Sequence, residues 1–145
     1  MKLSVAILLV LIGATFASAE IYSVKKHSAE IRDSSNPYLA QVVLVVPKNY
    51  PLSVIDETDD YYKVNDFLGR EGWVEKSAIA PARTVVVKSA SGNVRNGPGI
   101  DHKILFRAKQ GVAFKVLERK DDWLMIEHES NRAGWISRSL VWGNS

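Results

Sequence analysis

Short segments with the spacing of β-strands dominate the chain after its first 19 residues. Residues 51–57 and 112–118 alternate between apolar and polar side chains, as half-buried strands do. Residues 61–64 and 123–126 each follow a pair of aspartates, which favour turns. No segment of this part of the sequence shows the apolar period of an amphipathic helix. The pattern therefore predicts an all-β protein.

The two halves of this pattern are an internal repeat. A spacing of 62 residues places Val54 on Val116 and Tyr61 on Trp123, and it also aligns residues 70–79 with 132–141. Upstream the spacing is 63, so one extra residue lies between Arg32 and Val54 in the first copy. A repeat of this length predicts two tandem domains.

Each copy has room for about five short strands in about 60 residues, which predicts a small barrel. We place the first domain at residues 20–80 and the second at residues 83–145. The joint, Ala-Pro-Ala-Arg at residues 80–83, is short, and we expect a fixed arrangement of the two barrels.

Residues 1–19 are typical of a secretory signal peptide. Lys2 precedes an apolar run at residues 3–16, which is shorter than the roughly 20 residues of a membrane span. Ala-Ser-Ala at residues 17–19 predicts cleavage before Glu20, and an uncleaved anchor is the alternative. We therefore expect an exported protein, periplasmic or extracellular, with no transmembrane span after cleavage.

The amino-acid composition excludes several kinds of functional site. The absence of cysteine excludes disulfides, a lipoprotein anchor, thiol nucleophiles and cysteine-ligated metals. Residues 20–80 carry 7 Lys and Arg against 10 Asp and Glu, whereas residues 81–145 carry 11 against 6. The basic second half favours either an anionic partner or an ordinary solvated surface.

The second copy contains the sequence NVRNGPG at residues 93–99, then Trp123 and Ile126, then Gly-Trp-Ile at residues 134–136. This combination resembles the bacterial SH3 domain (SH3b) family. The first copy is a divergent version that keeps Ile31-Arg32 and Gly72-Trp73-Val74 but has Asp-Ser-Ser-Asn at residues 33–36 in place of the glycine turn. The resemblance implies two tandem SH3-like barrels over nearly the whole chain after residue 19.

The glycine-rich run at residues 92–99 is not a phosphate-binding loop, because no Lys-Ser/Thr pair and no helix follow it. We interpret it as a loop-shaping motif in which Val94 faces inward and Arg95 outward. Gly97 and Gly99 would adopt backbone angles that other residues resist. The first copy lacks these glycines, so its loop must be shaped differently.

Aromatic side chains are the candidate binding residues. Trp73 and Trp135 are interpreted first as core or barrel-closing residues. A ligand site, if present, is predicted in the second copy around Asn96, Arg107, Trp123 and Trp135, while Tyr38 and Tyr61 offer further stacking faces. The groove markers of eukaryotic SH3 domains are missing, so Pro-rich ligands are not expected.

Catalytic chemistry finds little support. The three histidines lie in no nucleophile signature. A zinc site at residues 127–129 (Glu-His-Glu) is disfavoured because neighbours on a strand point to opposite faces, and the Asp-Asp pairs suit turns. We expect no enzyme activity, no cofactor and no metal.

The resemblance to SH3b domains implies binding in the cell envelope, with peptidoglycan or its peptide as the favoured ligand. An adaptor that docks on an envelope protein through the basic second copy is an alternative. A regulatory subunit or inhibitor that acts only within a complex is another. No nucleic-acid partner is expected.

Overall fold

A computed structural model of the protein describes residues 19–145. The first copy folds into seven strands and one 3₁₀ turn: β1 (Ile21–Val24), β2 (Ser28–Arg32), β3 (Val42–Pro47), β4 (Pro51–Glu57), β5 (Tyr61–Asn65), β6 (Glu71–Glu75), the turn η1 (Lys76–Ala78) and β7 (Ile79–Pro81). The second copy repeats them: β8 (Thr84–Val87), β9 (Ser91–Arg95), β10 (Ile104–Lys109), β11 (Ala113–Lys120), β12 (Trp123–Glu127), β13 (Ala133–Ser137), the turn η2 (Arg138–Leu140) and β14 (Val141–Gly143).

Each copy is one antiparallel sheet wrapped around its own core. The strand orders, β3-β2-β6-β5-β4-β1-β7 and β10-β9-β13-β12-β11-β8-β14, are the same path followed twice. The all-β prediction and the two tandem barrels are therefore confirmed. Each barrel has seven strands, so the expected five were too few; the short last strands β7 and β14 account for one of the two missed in each barrel. The extra residue of the first copy lies in the β2–β3 loop, residues 33–41 against 96–103.

Alternation along the strands builds both cores. In β12 the side chains of Leu124 and Ile126 are fully buried, while those between them face outward. Val64 and Val74 do the same in the first barrel. The largest buried side chains of the two cores include Phe114, Ile31, Leu52, Ile136 and Leu124. The barrels are thus held by apolar burial, as a chain without cysteine requires.

The barrels also pack against each other. Val86 and Ala113 of the second barrel are buried in the core cluster of the first, and Trp142 packs against the same cluster. The buried hydroxyls of Ser23 and Thr84 form a hydrogen bond across the joint. The carboxamide of Asn144 donates to the carbonyl oxygen of Ala82 at 3.2 Å. These contacts support the predicted fixed arrangement.

The loop at residues 92–99 is shaped by its arginine. Val94 is fully buried and Arg95 faces outward, as predicted. The Arg95 guanidinium donates to the carbonyl oxygens of Ile100 at 2.9 Å and His102 at 3.0 Å, which closes the loop. The expected backbone angles at Gly97 and Gly99 were wrong, because the φ of neither glycine is positive. A Cβ at Gly97 would overlap the His102 ring, so an alanine there would force that ring to move.

The corresponding loop of the first barrel is held by short polar side chains. The amide of Gln41 donates to the Asp33 carboxylate at 2.9 Å, and the amide of Tyr38 donates to the Asn36 side chain at 3.0 Å. Arg32, which aligns with Arg95, instead forms an ion pair with Glu30 at 2.7 Å. The prediction that this loop is shaped differently is confirmed.

The predicted signal peptide lies outside the described residues, apart from its last position, Ala19. Within residues 19–145, we find no helix with the length and apolar character needed to span a bilayer.

Candidate functional site

The three tryptophans expected at strand positions lie on the outer faces of the barrels. In the second barrel Trp135 is opposite Met125 and next to Arg95, and Trp123 is opposite Ser137. Their neighbours along each strand point into the core, so these side chains point out. Both tryptophans are half-buried. Trp135 is not a core residue, because neither core cluster includes it, but it pairs with Arg95 where β13 joins β9, which agrees with the alternative of a barrel-closing residue.

Trp73 follows the same rule in the first barrel. It lies opposite Lys63 and next to Arg32 on the outer face, half-buried and outside both core clusters. The Lys63 ammonium lies 5.9 Å from the Trp73 ring centroid, within reach of a cation–π contact. The Gly-Trp motif buries its glycine instead: a Cβ at Gly134 would approach the Arg95 carbonyl oxygen to 2.8 Å.

A concavity on the outer face of the first barrel surrounds Tyr61. Two adjoining depressions, of about 670 and 240 Å³, share Tyr61 and Glu75, and we call them together the Tyr61 groove. The wider depression runs between the β2–β3 loop, the β4–β5 turn and η1. The narrower depression continues under Tyr61 along β2 and is lined by Lys26, Ser28, Ala29, Glu30, Arg32, Val74 and Ala78.

Local structure fixes Tyr61 at the centre of the groove. It is the first residue of β5, directly after the β4–β5 turn, and it pairs with Glu75 of β6. Its amide donates to the Thr58 hydroxyl at 3.2 Å, and its carbonyl oxygen accepts from the Thr58 amide at 2.8 Å. The ring is half-buried, so one side is supported by the barrel and the other is open to the groove.

The groove is acidic where it is widest. Lys76 is engaged by Glu57 at 2.6 Å and lies 4.9 Å from the Tyr62 ring centroid. The hydrogen bond that the Lys76 ammonium donates to the Glu57 carboxylate raises the pKa of Lys76, against the opposing effect of burial. Within residues 19–145, no cation lies within 4.0 Å of the carboxylates of Asp59, Asp60 or Glu75. A ligand amine would meet these free carboxylates beside an aromatic face.

The second barrel fills the corresponding space. Trp123 occupies the position of Tyr61, but Leu140 replaces Ala78 at the end of the 3₁₀ turn. The Leu140 side chain packs against the second core and lies beside Gly92, the counterpart of Ala29. The inner part of the groove is thus occupied by a side chain in the second barrel and open in the first.

A buried carboxylate organises the loop after the Tyr61 strand. Asp66 accepts hydrogen bonds from the amides of Leu68 and Arg70 at 3.0 and 2.9 Å, from the Tyr50 hydroxyl at 3.0 Å and from the Arg70 guanidinium at 2.7 Å. Burial acts to raise the Asp66 pKa, but the hydrogen bonds from Arg70 and Tyr50 outweigh it, and the pKa is lowered. Burial, then the charge of Asp66, raises the pKa of Tyr50 to about 12.

The remaining predicted site residues are scattered. Tyr38 is 93% exposed in the β2–β3 loop, beside Pro37 of the groove rim. Asn96 is exposed at the start of the β9–β10 loop, where its amide donates to the Lys103 carbonyl oxygen at 2.8 Å. Arg107 faces outward on β10, opposite Asn93. Arg107, Trp123 and Trp135 therefore share the outer face of one sheet but converge on no single cleft that we identify in the described residues.

The sequence analysis did not single out Ala78 or Asp66, and it interpreted Asp59 and Asp60 only as turn residues, although they line the groove together with Tyr61. The contrast of Ala78 with Leu140 at equivalent repeat positions is the signal that could have located the open groove. Among residues 19–145, no group of three or more His, Asp or Glu side chains is arranged to hold a metal ion.

The sequence profile described as the bacterial SH3 domain matches residues 35–81 and 88–143. These two segments cover more than half of the chain, and one lies within each barrel. The chain belongs to the bacterial SH3 domain family. Its SH3 barrels keep the family motif most completely in the second copy, while the open groove is in the first.

Relatives of this bacterial SH3 protein include much longer chains. It is 31% identical over 65 residues to "Putative N-acetylmuramoyl-L-alanine amidase YrvJ" of Bacillus subtilis (strain 168), which covers 45% of this chain and 12% of that protein. One similar solved structure is NlpC1 of Trichomonas vaginalis, at 15% identity and a TM-score of 0.40; the match covers 94% of this chain and 50% of that chain. Another is an NlpC/P60 family protein of Bacillus cereus ATCC 10987, at 10% identity and a TM-score of 0.42; the match covers 85% of this chain and 56% of that chain. This chain spans about half of each solved structure.

Proposed function

We propose that this protein is a non-catalytic binding protein of the cell envelope, exported to the periplasm or cell exterior, and that it holds peptidoglycan or a wall peptide in the Tyr61 groove. Membership of the bacterial SH3 family supports a binding role. The shared segment with a protein named as an N-acetylmuramoyl-L-alanine amidase supports a cell-wall ligand. The observation that carries the proposal is the groove itself.

The groove suits a short peptide in size and chemistry. Its wider part, about 670 Å³, lies within the range of ligand sites, roughly 300–1,000 Å³. The Tyr61 ring offers an apolar contact face. The free carboxylates of Asp59, Asp60 and Glu75 favour a ligand that carries an amine, and we expect wall peptides with a free amino group to bind more tightly than acetylated ones.

An NMR titration with soluble muropeptides tests the groove. We expect chemical-shift changes at Tyr61, Glu75 and Ala78, and at least a tenfold loss of affinity in Tyr61→Ala. The matched control is Trp123→Ala, which removes the equivalent ring from the second barrel. Full affinity in Tyr61→Ala would contradict binding in the groove, and shift changes confined to Trp123, Trp135 and Arg107 would move the site to the second copy predicted from the sequence.

The non-catalytic part of the proposal has its own assay. Purified protein incubated with dye-labelled peptidoglycan should release no more soluble fragments than buffer does. Release that scales with protein concentration would contradict it.

An adaptor role is the second candidate, and the free edge of the first sheet favours it. Strand β3 is an edge strand with Val43 and Val45 56% and 59% exposed. The equivalent strand β10 has Arg107 and Lys109 at the positions of Val45 and Pro47, and such charges discourage edge pairing. If the role is docking, Val45→Lys should abolish it while leaving muropeptide binding in the Tyr61 groove unchanged.

A further inference from the structure

We propose that the cleft between the two barrels is a second binding site, which accepts an extended peptide bearing free carboxylates. This interbarrel cleft has a volume of about 630 Å³. Its charged lining comes from both barrels and their joint: Lys25, Lys48, Arg83, Lys115, Glu127 and Glu129. This site lies apart from the Tyr61 groove and does not depend on it.

The walls of the interbarrel cleft are fixed relative to each other. The floor contains Ser23 and Thr84, whose buried hydroxyls are bonded across the joint. The amide of Val116 donates to the Arg83 carbonyl oxygen at 2.9 Å, which ties the linker to β11. Since Val86 and Ala113 are buried against the first core, the cleft is preformed. A preformed site avoids the free-energy cost of ordering its walls on binding.

Four cations line this cleft, and in the described part of the chain none of them forms an ion pair within 4.0 Å. Lys25 follows β1, Lys48 lies in the β3–β4 turn, and Lys115 lies on β11. In the described part of the chain, no carboxylate lies within 4.0 Å of the charged groups of these lysines or of Arg83. Unpaired like charges in one cleft repel each other, and a bound anion would relieve that repulsion.

The cleft also contains the carboxylates of Glu127 and Glu129 and the imidazole of His128. Lys115 and Glu127 are cross-strand neighbours but do not form an ion pair within 4.0 Å. With four cations against two carboxylates, the fixed charge of the lining is +2. The excess favours a ligand with at least two negative groups.

Asparagine side chains favour a peptide over a simple anion. Asn49 and Asn131 both line the cleft, and both lie in turns with positive φ, 69° and 70°. Their amide groups carry donors and acceptors that match the backbone of an extended peptide. The cations of the cleft would bind the side-chain carboxylates of the ligand, and the two asparagine carboxamides would bind its backbone. Together they define the proposed ligand class, an extended acidic peptide.

The probe is the peptide Gly-Glu-Gly-Glu-Gly, acetylated and amidated at its ends, with Gly-Gln-Gly-Gln-Gly as its neutral counterpart. Isothermal titration of the whole protein should show binding of the first and at least tenfold weaker binding of the second. The double variant Lys48→Gln/Lys115→Gln removes one cation from each barrel and should weaken binding of the Glu peptide at least tenfold. The control Lys88→Gln/Lys103→Gln removes the same charge from outside the cleft and should bind as the wild type does.

Thermal unfolding separates a binding role from a structural one. We expect the Tm of Lys48→Gln/Lys115→Gln to equal or exceed that of the wild type, because repulsion is relieved. Tyr61→Ala should leave binding of the Glu peptide intact, so failure here and failure of the proposed function are distinguishable. Equal binding of both peptides, equal loss in the control variant, or a lowered Tm of the cleft variant would each overturn the proposal.

Discussion

The buried Asp66 carboxylate is the clearest single point at which to test the energetics of the first barrel. Its side chain is fully buried, and three neutral donors, the amides of Leu68 and Arg70 and the Tyr50 hydroxyl, depend on it. Each lost acceptor costs about 1 kcal/mol. The Arg70 side chain is 47% exposed and can rehydrate, so its ion pair adds little. We expect Asp66→Ala to lower the free energy of unfolding by about 3 kcal/mol.

The Asp66 carboxylate should also make the stability of the first barrel decrease as the pH falls. Its pKa in the folded protein is lowered below the ordinary value of 3.8, so the unfolded state binds the proton first as the pH falls. The contribution of Asp66 is therefore fully present above its ordinary pKa and is lost as the pH falls through the folded pKa. The second barrel has His128 at this position and lacks this carboxylate.

Guanidinium unfolding followed by circular dichroism at pH 7 and at pH 3 measures both effects. The stability difference between wild type and Asp66→Ala should shrink at pH 3. The control Glu71→Gln removes an exposed carboxylate 3.9 Å from Lys63 and should change stability by no more than about 0.5 kcal/mol. A loss below about 1 kcal/mol in Asp66→Ala at pH 7, or an undiminished difference at pH 3, would refute the reasoning.

Three further predictions follow from packing and register. Gly134→Ala should destabilise the second barrel by about 2 kcal/mol, because the added Cβ would lie 2.8 Å from the Arg95 carbonyl oxygen. The control Gly99→Ala, whose nearest contact would be 3.5 Å, should be tolerated. Thermal unfolding of the two variants measures the difference. Trp142→Ala should loosen the joint and give the two barrels separate rotational correlation times in ¹⁵N relaxation, and an unchanged single time would contradict a role for Trp142 in the fixed arrangement. The double variant Ala29→Gly/Ala78→Leu gives the first barrel the residues of the second at these positions and should fill the narrow part of the Tyr61 groove. It should weaken muropeptide binding with little loss of stability. Wild-type affinity in this variant would place the ligand elsewhere.

The internal repeat in the sequence was sufficient to predict most of the fold. The spacing of 62 residues that aligns Val54 with Val116 and Tyr61 with Trp123 predicted both barrels, and its change to 63 upstream placed the extra residue between Arg32 and Val54. The outward direction of Trp73 and Trp135 was not predicted, because a large apolar ring suggests burial, and only the pairing register shows that the adjacent glycine takes the inner position. The groove also depends on a difference between two side chains, Ala78 and Leu140, that share a 3₁₀ turn but contact different neighbours.

The interface between the barrels could not be predicted from the pattern of apolar and polar residues, for a similar reason. Val86 and Ala113 have the alternation of ordinary core residues, and nothing in the sequence distinguishes which core they enter. The charged lining of the interbarrel cleft likewise combines residues about 100 positions apart in the chain, from Lys25 to Glu129. Tertiary packing alone brings them together.

Retention on purified cell-wall sacculi at high salt tests the central claim most directly. The account predicts that the wild-type protein and Trp123→Ala remain bound in salt that screens exposed charges, while Tyr61→Ala is washed off. Retention of Tyr61→Ala at the wild-type level, or wild-type retention no greater than that of an unrelated basic domain, would contradict the claim that the Tyr61 groove binds the cell wall.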